Sequence, residues 1–173
     1  MQIKNTTTQY GLLARVMHWS SVTLLVTLIV IASQFEDLQA GAEKNRLMAL
    51  HVVLGLGFFA LMLARLRWRQ TNHNPIHSYS LKPWQKLAAI SLHRSIYLVL
   101  LAQCLVGMIS VVTANHPALL LHCLSWLTPL TAQPWLHPLS VNSHVLLSMM
   151  IYPLFAIHIS AAIYHQIFGL IEA

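Results

Sequence analysis

Residues 143–168 read SHVLLSMMIYPLFAIHISAAIYHQIF. The run holds no Asp, Glu, Lys or Arg, and it is long enough to cross bilayer hydrocarbon, which takes about 20 helical residues. His144 and His158 stand fourteen residues apart within it. At 3.6 residues per turn this is nearly four whole turns, so both imidazoles project from one helix face, separated by roughly 21 Å along the axis. In a membrane, one then lies near each surface. An ionisable side chain within hydrocarbon is costly, and by default it marks function.

Three further apolar runs precede this one, at about residues 12–33, 48–66 and 87–113. Each is close to the length that spans a membrane. The four predict an all-α integral membrane four-helix bundle, a single transmembrane domain over residues 1–173. A shorter run, Leu119 to Leu130, is too brief to span and is broken by Pro117 and Pro129; it reads as a surface-lying or re-entrant piece. The first run is too long for a signal-peptide core and lacks a following small-residue cleavage site, so it reads as a retained helix.

Composition agrees. Of 173 residues, 57% are hydrophobic and 8% charged, and the mean hydropathy is +0.62. A pI of about 9.8 could suggest nucleic-acid binding, but the basic residues cluster beside apolar runs rather than along an exposed face, and no nucleic-acid partner is expected. Cys104 falls in an apolar run and Cys123 in an uncharged loop, which indicates neither a disulfide framework nor a thiolate metal site.

Positive charge is retained on the cytoplasmic side of a membrane, whereas acidic residues contribute little. Lys4 and Arg15 precede or open the first helix, and Arg65, Arg67, Arg69, Lys82, Lys86 and Arg94 lie between or at the facing ends of the second and third. Only Lys44 and Arg46 lie in the other connections, and residues 115–143 carry no Asp, Glu, Lys or Arg. Both termini and the central loop are therefore expected in the cytoplasm. Trp126 and Trp135 in the outer segment suit the headgroup level.

Depth then sorts the eleven histidines. His73 and His77 fall in the basic loop, and His116, His122 and His137 in the outer loop, where a solvated or interfacial imidazole is unremarkable. His18, His51, His93, His144, His158 and His165 lie on or near helices. Entering from the cytoplasm, the first helix brings His18 to the inner level of His158. The second enters from outside and brings His51 to the outer level of His144. Two depth-matched pairs follow from chain direction, as two haems stacked through the membrane would require. Packing histidines would have no reason to sort in this way. Gly55 and Gly57, near His51, and Gly107, fourteen residues after His93, could admit a porphyrin or a close helix neighbour. Metal or proton transport is the competing class, but paired histidines at two depths without internal repeats or intramembrane carboxylates suit it poorly.

The chain resembles the prokaryotic cytochrome b561 family, related to the cytochrome b subunits of membrane hydrogenases, over nearly its full length. The resemblance rests on YGLLARVMHW at residues 10–19, ALHVVLGLGFFALMLARLRWR at 49–69, HRSIYLVL at 93–100 and the two histidines of residues 143–168. It implies axial ligation of one haem iron by His18 with His158 and of a second by His51 with His144. Gln103 stands where members often place a proline, and Pro153 lies between the two histidines of the last helix.

Bis-histidine iron has no open position, which favours electron transfer over oxygen chemistry. The expected cofactors are two non-covalent haems b. The resemblance implies a membrane quinone such as ubiquinone as partner and superoxide-to-quinone oxidoreduction as one activity, otherwise plain electron carriage, in a bacterial inner membrane. The uncharged outer loop offers superoxide no positive surface. A haem-bearing anchor subunit for a dehydrogenase or hydrogenase is the alternative, and a homodimer is a further arrangement of the same chemistry. His93 and His165 are the spare cytoplasmic-side histidines that could serve a quinone. His165, two turns beyond His158 on nearly the same face, could instead be the inner ligand, and both could simply be interfacial. Arg15, Arg65 and Arg69 could pair with haem propionates, or only fix topology.

Reporter fusions test the charge argument: a fusion at residue 75 is expected in the cytoplasm and one at residue 130 outside. Finding both on one side would remove the depth matching.

Overall fold

Hydrocarbon offers no partner for a backbone N–H or C=O, so an apolar run that spans it closes its hydrogen bonds internally. The computed structural model describes residues 2–7, 9–35, 37–72, 75, 82–114 and 133–168. Among these it shows four helices and no strand: α1 (Leu12–Ser33), α2 (Ala42–Thr71), α3 (Pro83–Thr113) and α4 (Leu136–Phe168). All four are long and apolar enough to span a membrane.

The apolar runs mark the spans, but three helices continue beyond them. α2, α3 and α4 hold 30, 31 and 33 residues, about 45–50 Å at 1.5 Å per residue, against about 30 Å of hydrocarbon. Polar end residues such as Glu43, Lys44 and Asn45 prolong a helix outside the apolar layer without penalty. His137, expected in a loop, consequently lies in the first turn of α4, where its Nδ1 is 3.1 Å from Thr113 Oγ1 at the end of α3. Residues 119–130, with His116, His122, Cys123, His73 and His77, lie outside the described residues.

The helix starts are closed by local chemistry. Residues 2–5 fold back over the first turn of α1: Leu12 N donates to the Gln2 carbonyl at 3.0 Å and Gly11 N to Asn5 Oδ1 at 3.0 Å. A side chain at Gly11 would strike the backbone of Ile3 and Lys4, so this approach needs glycine. α3 opens with Pro83, whose missing N–H costs nothing in a first turn, while Gln85 Oε1 accepts from Lys82 N at 2.8 Å. Pro153 lies within α4 and the helix continues through it, although the Met149 carbonyl loses its usual donor there.

Packing is uneven. α3 lies most extensively on α4, α1 on α2, and α2 on α3; α4 has no comparable contact with α1 or α2. A seam thus runs along the bundle between the α1/α2 pair and α4. At mid-depth it is plugged by Leu25 and Leu28 of α1, Phe58 and Met62 of α2, Val99 and Leu100 of α3 and Ile151 of α4. Four of these stand seven residues from a histidine on their own helix: Leu25 after His18, Phe58 after His51, Leu100 after His93, and Ile151 midway between His144 and His158. Two turns at that spacing keep one face, so the histidine faces and the core faces coincide, with an apolar layer between two histidine levels. Large apolar side chains such as Val26, Leu98, Met149 and Ile157 point outward, as lipid contact allows.

Met62 is 1% exposed. Helices in lipid are held by close packing rather than by exclusion of water, so Met62→Ala should leave a void that lowers stability by about 2 kcal/mol or more. Thermal unfolding in detergent micelles measures it.

Candidate haem site

The two ends of the bundle differ in charge. α1 and α3 begin, and α2 and α4 end, at the side carrying Arg15, Arg65, Arg69 and Lys86, here called the basic end; the opposite side is the far end.

At the basic end, His18 of α1 faces His158 of α4 across the seam, with ring centres 6.5 Å apart and planes at 63°. At the far end His51 of α2 faces His144 of α4, at 6.4 Å and 78°. All four residues are half-buried. Histidine binds a first-row metal at roughly 2.0–2.1 Å, and the nitrogen lies about 1.2 Å from the ring centre, so two imidazoles on opposite sides of one ion stand roughly 6.4 Å apart. Both spacings fit an iron held between the members of each pair. Among the described residues, no group of three or more His, Cys, Asp or Glu could hold a metal ion.

The surroundings of the pairs were not legible in the sequence. His144 Nδ1 donates to the Gln103 carbonyl of α3 at 3.1 Å, and the ring lies over Gly107, where a Cβ would come within 2.9 Å of Cε1. Gly107 therefore seats an imidazole, whereas Gly55 and Gly57 look onto open space. Phe35 lies edge-on to His51 at 5.6 Å. His51 Nδ1 is buried and closes no hydrogen bond, although the Leu28 carbonyl is near enough to act on the ring. Gln103 Oε1 is likewise buried without a partner. A metal ligand commonly directs its second nitrogen to a carbonyl or carboxylate, and the Gln103 carbonyl already does this for His144.

At the basic end Arg65 Nη2 lies 3.1 Å from His18 Nδ1. The guanidinium carbons of Arg65 and Arg69 each lie 5.8 Å from the Tyr97 ring centre. Arg15 is exposed on α1 and outside this group. His93 of α3 joins the basic-end pair, its ring 5.2 Å from that of His158 and its Nδ1 donating to the Ala89 carbonyl at 2.7 Å. His165, by contrast, stacks edge-on with Tyr164 at 5.5 Å and is not brought to His18. One signal for Arg65 exists in the sequence: it follows His51 by fourteen residues and so shares its face at the other depth.

Paired imidazoles at two depths in an antiparallel helical membrane bundle define a class, the membrane cytochromes that hold b-type haem between helices. The sequence model of prokaryotic cytochrome b561 matches residues 9–173. The chain belongs to this family, and it is a multi-pass membrane protein for haem b electron transfer. No curated protein and no solved structure matches it.

Because the Gly107 position has no room for a methyl group, Gly107→Ala should push His144 off the Gln103 carbonyl. The expected result is purified protein with less haem b and an altered visible band. An unchanged haem content and spectrum would mean that α3 yields instead of the ring.

Proposed function

We propose that the chain holds two haems b, one between His18 and His158 and one between His51 and His144, and conducts electrons through a bacterial inner membrane. The observation that carries this reading is the spacing of the two pairs, 6.5 and 6.4 Å between ring centres, across the seam left between α1/α2 and α4. When bound, haem supplies the one-electron chemistry, and two histidines per iron leave no position for oxygen. The protein's own contribution is orientation and insulation. Gln103 aims His144, while the layer of Leu25, Phe58, Met62 and Ile151 keeps water from the path between the two levels.

The basic end faces the cytoplasm on the charge argument. A quinone meets the chain there, beside His93, which is the titratable ring closest to the inner pair and suited to exchanging a proton with a reduced or oxidised quinone. The donor at the far end is a one-electron reductant, with superoxide the first to test.

Neither Cys104 nor Cys123 belongs to a Cys-x-x-Cys-His motif, so both haems should extract into acid acetone, at two per chain. Alanine at His18 or His158 should remove one redox transition, and alanine at His51 or His144 the other. His93→Ala and His165→Ala should keep both low-spin signals, with quinone turnover slowed in His93→Ala. Redox titration followed by visible spectroscopy reads these outcomes; one haem in folded protein, or loss of the inner haem on removing His165 but not His158, would defeat the assignment. Purification with stoichiometric soluble subunits would favour the anchor role.

A further inference from the structure

The two pairs differ in what holds the second ring nitrogen. A carbonyl only accepts, so the Gln103 oxygen 3.1 Å from His144 Nδ1 requires the proton on Nδ1. The lone pair of the neutral ring is then on Nε2, ready for a metal. At His18 the opposite holds. A guanidinium has only donors, so Arg65 Nη2 at 3.1 Å requires Nδ1 to accept. In the neutral ring the proton is then on Nε2, the one nitrogen left for a metal.

We propose that Arg65 caps His18 in the haem-free chain and that the inner site loads only when this guanidinium withdraws, so that the outer site fills first. This rests on the two-haem reading above. Arg65 comes to this position because it follows His51 by fourteen residues on α2, on the same face with the Phe58 layer between them. It is half-buried at the end of an apolar span, where an unpaired cation is costly; its Nη1 reaches only the weakly accepting Met62 sulfur at 4.0 Å, and the imidazole is the stronger acceptor beside it. Release changes no net charge. The guanidinium withdraws, Nε2 gives its proton to water, Nδ1 takes one from water, and the neutral ring now carries its lone pair on Nε2. The displaced guanidinium remains over the Tyr97 ring, which it already faces at 5.8 Å. There a haem carboxylate, when bound, would be a stronger acceptor for it than a neutral imidazole, able to engage two N–H groups at once.

Two measurements test this. In haem-free, ¹⁵N-histidine-labelled protein, long-range proton–nitrogen correlation should find His18 as the Nε2–H tautomer and His144 as the Nδ1–H tautomer. Finding His18 as Nδ1–H overturns the cap. Second, haemin uptake is followed by stopped flow in two single-site chains, His144→Ala with only the inner pair and His158→Ala with only the outer. Adding Arg65→Met should speed inner-site uptake several-fold, even if the loaded site is later less tight, and should leave outer-site uptake unchanged. That unchanged uptake, with the helical circular dichroism, reports that the variant has folded. Inner uptake that is unchanged or slower overturns the proposal. A chain that takes up no haem in either background overturns the two-haem reading and the loading order with it, whereas uptake in both backgrounds with His18 already Nδ1–H overturns the cap alone.

Discussion

An imidazole in hydrocarbon has to face a partner, because a polar group left alone there loses its hydration without return. In this bundle that requirement turns His18, His51, His144 and His158 into one seam, and the helices arrange themselves around it. α4 supplies one imidazole to each level, and α1 and α2 supply one each. α3 supplies none. It closes on α4 instead, bringing the Gln103 carbonyl and the bare backbone of Gly107 to His144. The looseness between α4 and the α1/α2 pair is therefore the counterpart of tight α3/α4 packing, and it leaves the imidazoles facing each other rather than the lipid.

The same seven-residue spacing that builds the apolar middle layer also places a charge. On α2, His51, Phe58 and Arg65 follow one another at this interval, and on α4 so do His144, Ile151, His158 and His165. One face thus presents an imidazole, then an apolar side chain, then a cation or a second imidazole. The two ends of the seam are consequently unlike. At the far end the rings meet a backbone carbonyl, a phenyl ring and a glycine; at the basic end they meet the Arg65 guanidinium, which with Arg69 lies over Tyr97, and a third imidazole, His93. Two centres with the same pair of ligand types would sit in different fields, since charge and hydrogen bonding around a haem set its potential.

The departures from the family pattern carry limited weight. Pro153 interrupts one backbone hydrogen bond of α4, yet the helix runs on and both histidines keep their opposite numbers on α1 and α2. Gln103 offers its main-chain oxygen to His144, a role any residue at that position could fill, while its side-chain oxygen is buried without a partner.

The helices, their number and the two levels of histidine were legible in the sequence, because spanning length and the 3.6-residue turn are local properties of one segment at a time. Fourteen residues on α4 define a face and a depth without reference to any neighbour, and the direction of each crossing assigns His18 and His51 to those depths. What the sequence left open was each instance of lateral register. That His165 turns to Tyr164 while His158 meets His18, that Gly107 lies under an imidazole, and that Arg65 rather than Arg15 reaches a ring depend on how far one helix is rotated and slid against the next. Many side chains share in that packing, and no short motif encodes it. The helix ends were likewise hidden, since polar residues outside the hydrocarbon continue a helix at little cost, which is how His137 came to cap the α3/α4 junction through Thr113. Sequence determined where along its helix each group stands, a one-dimensional property of an apolar segment; only the tertiary structure decided which groups touch, because contact between helices is a property of surfaces that the chain brings together from distant positions.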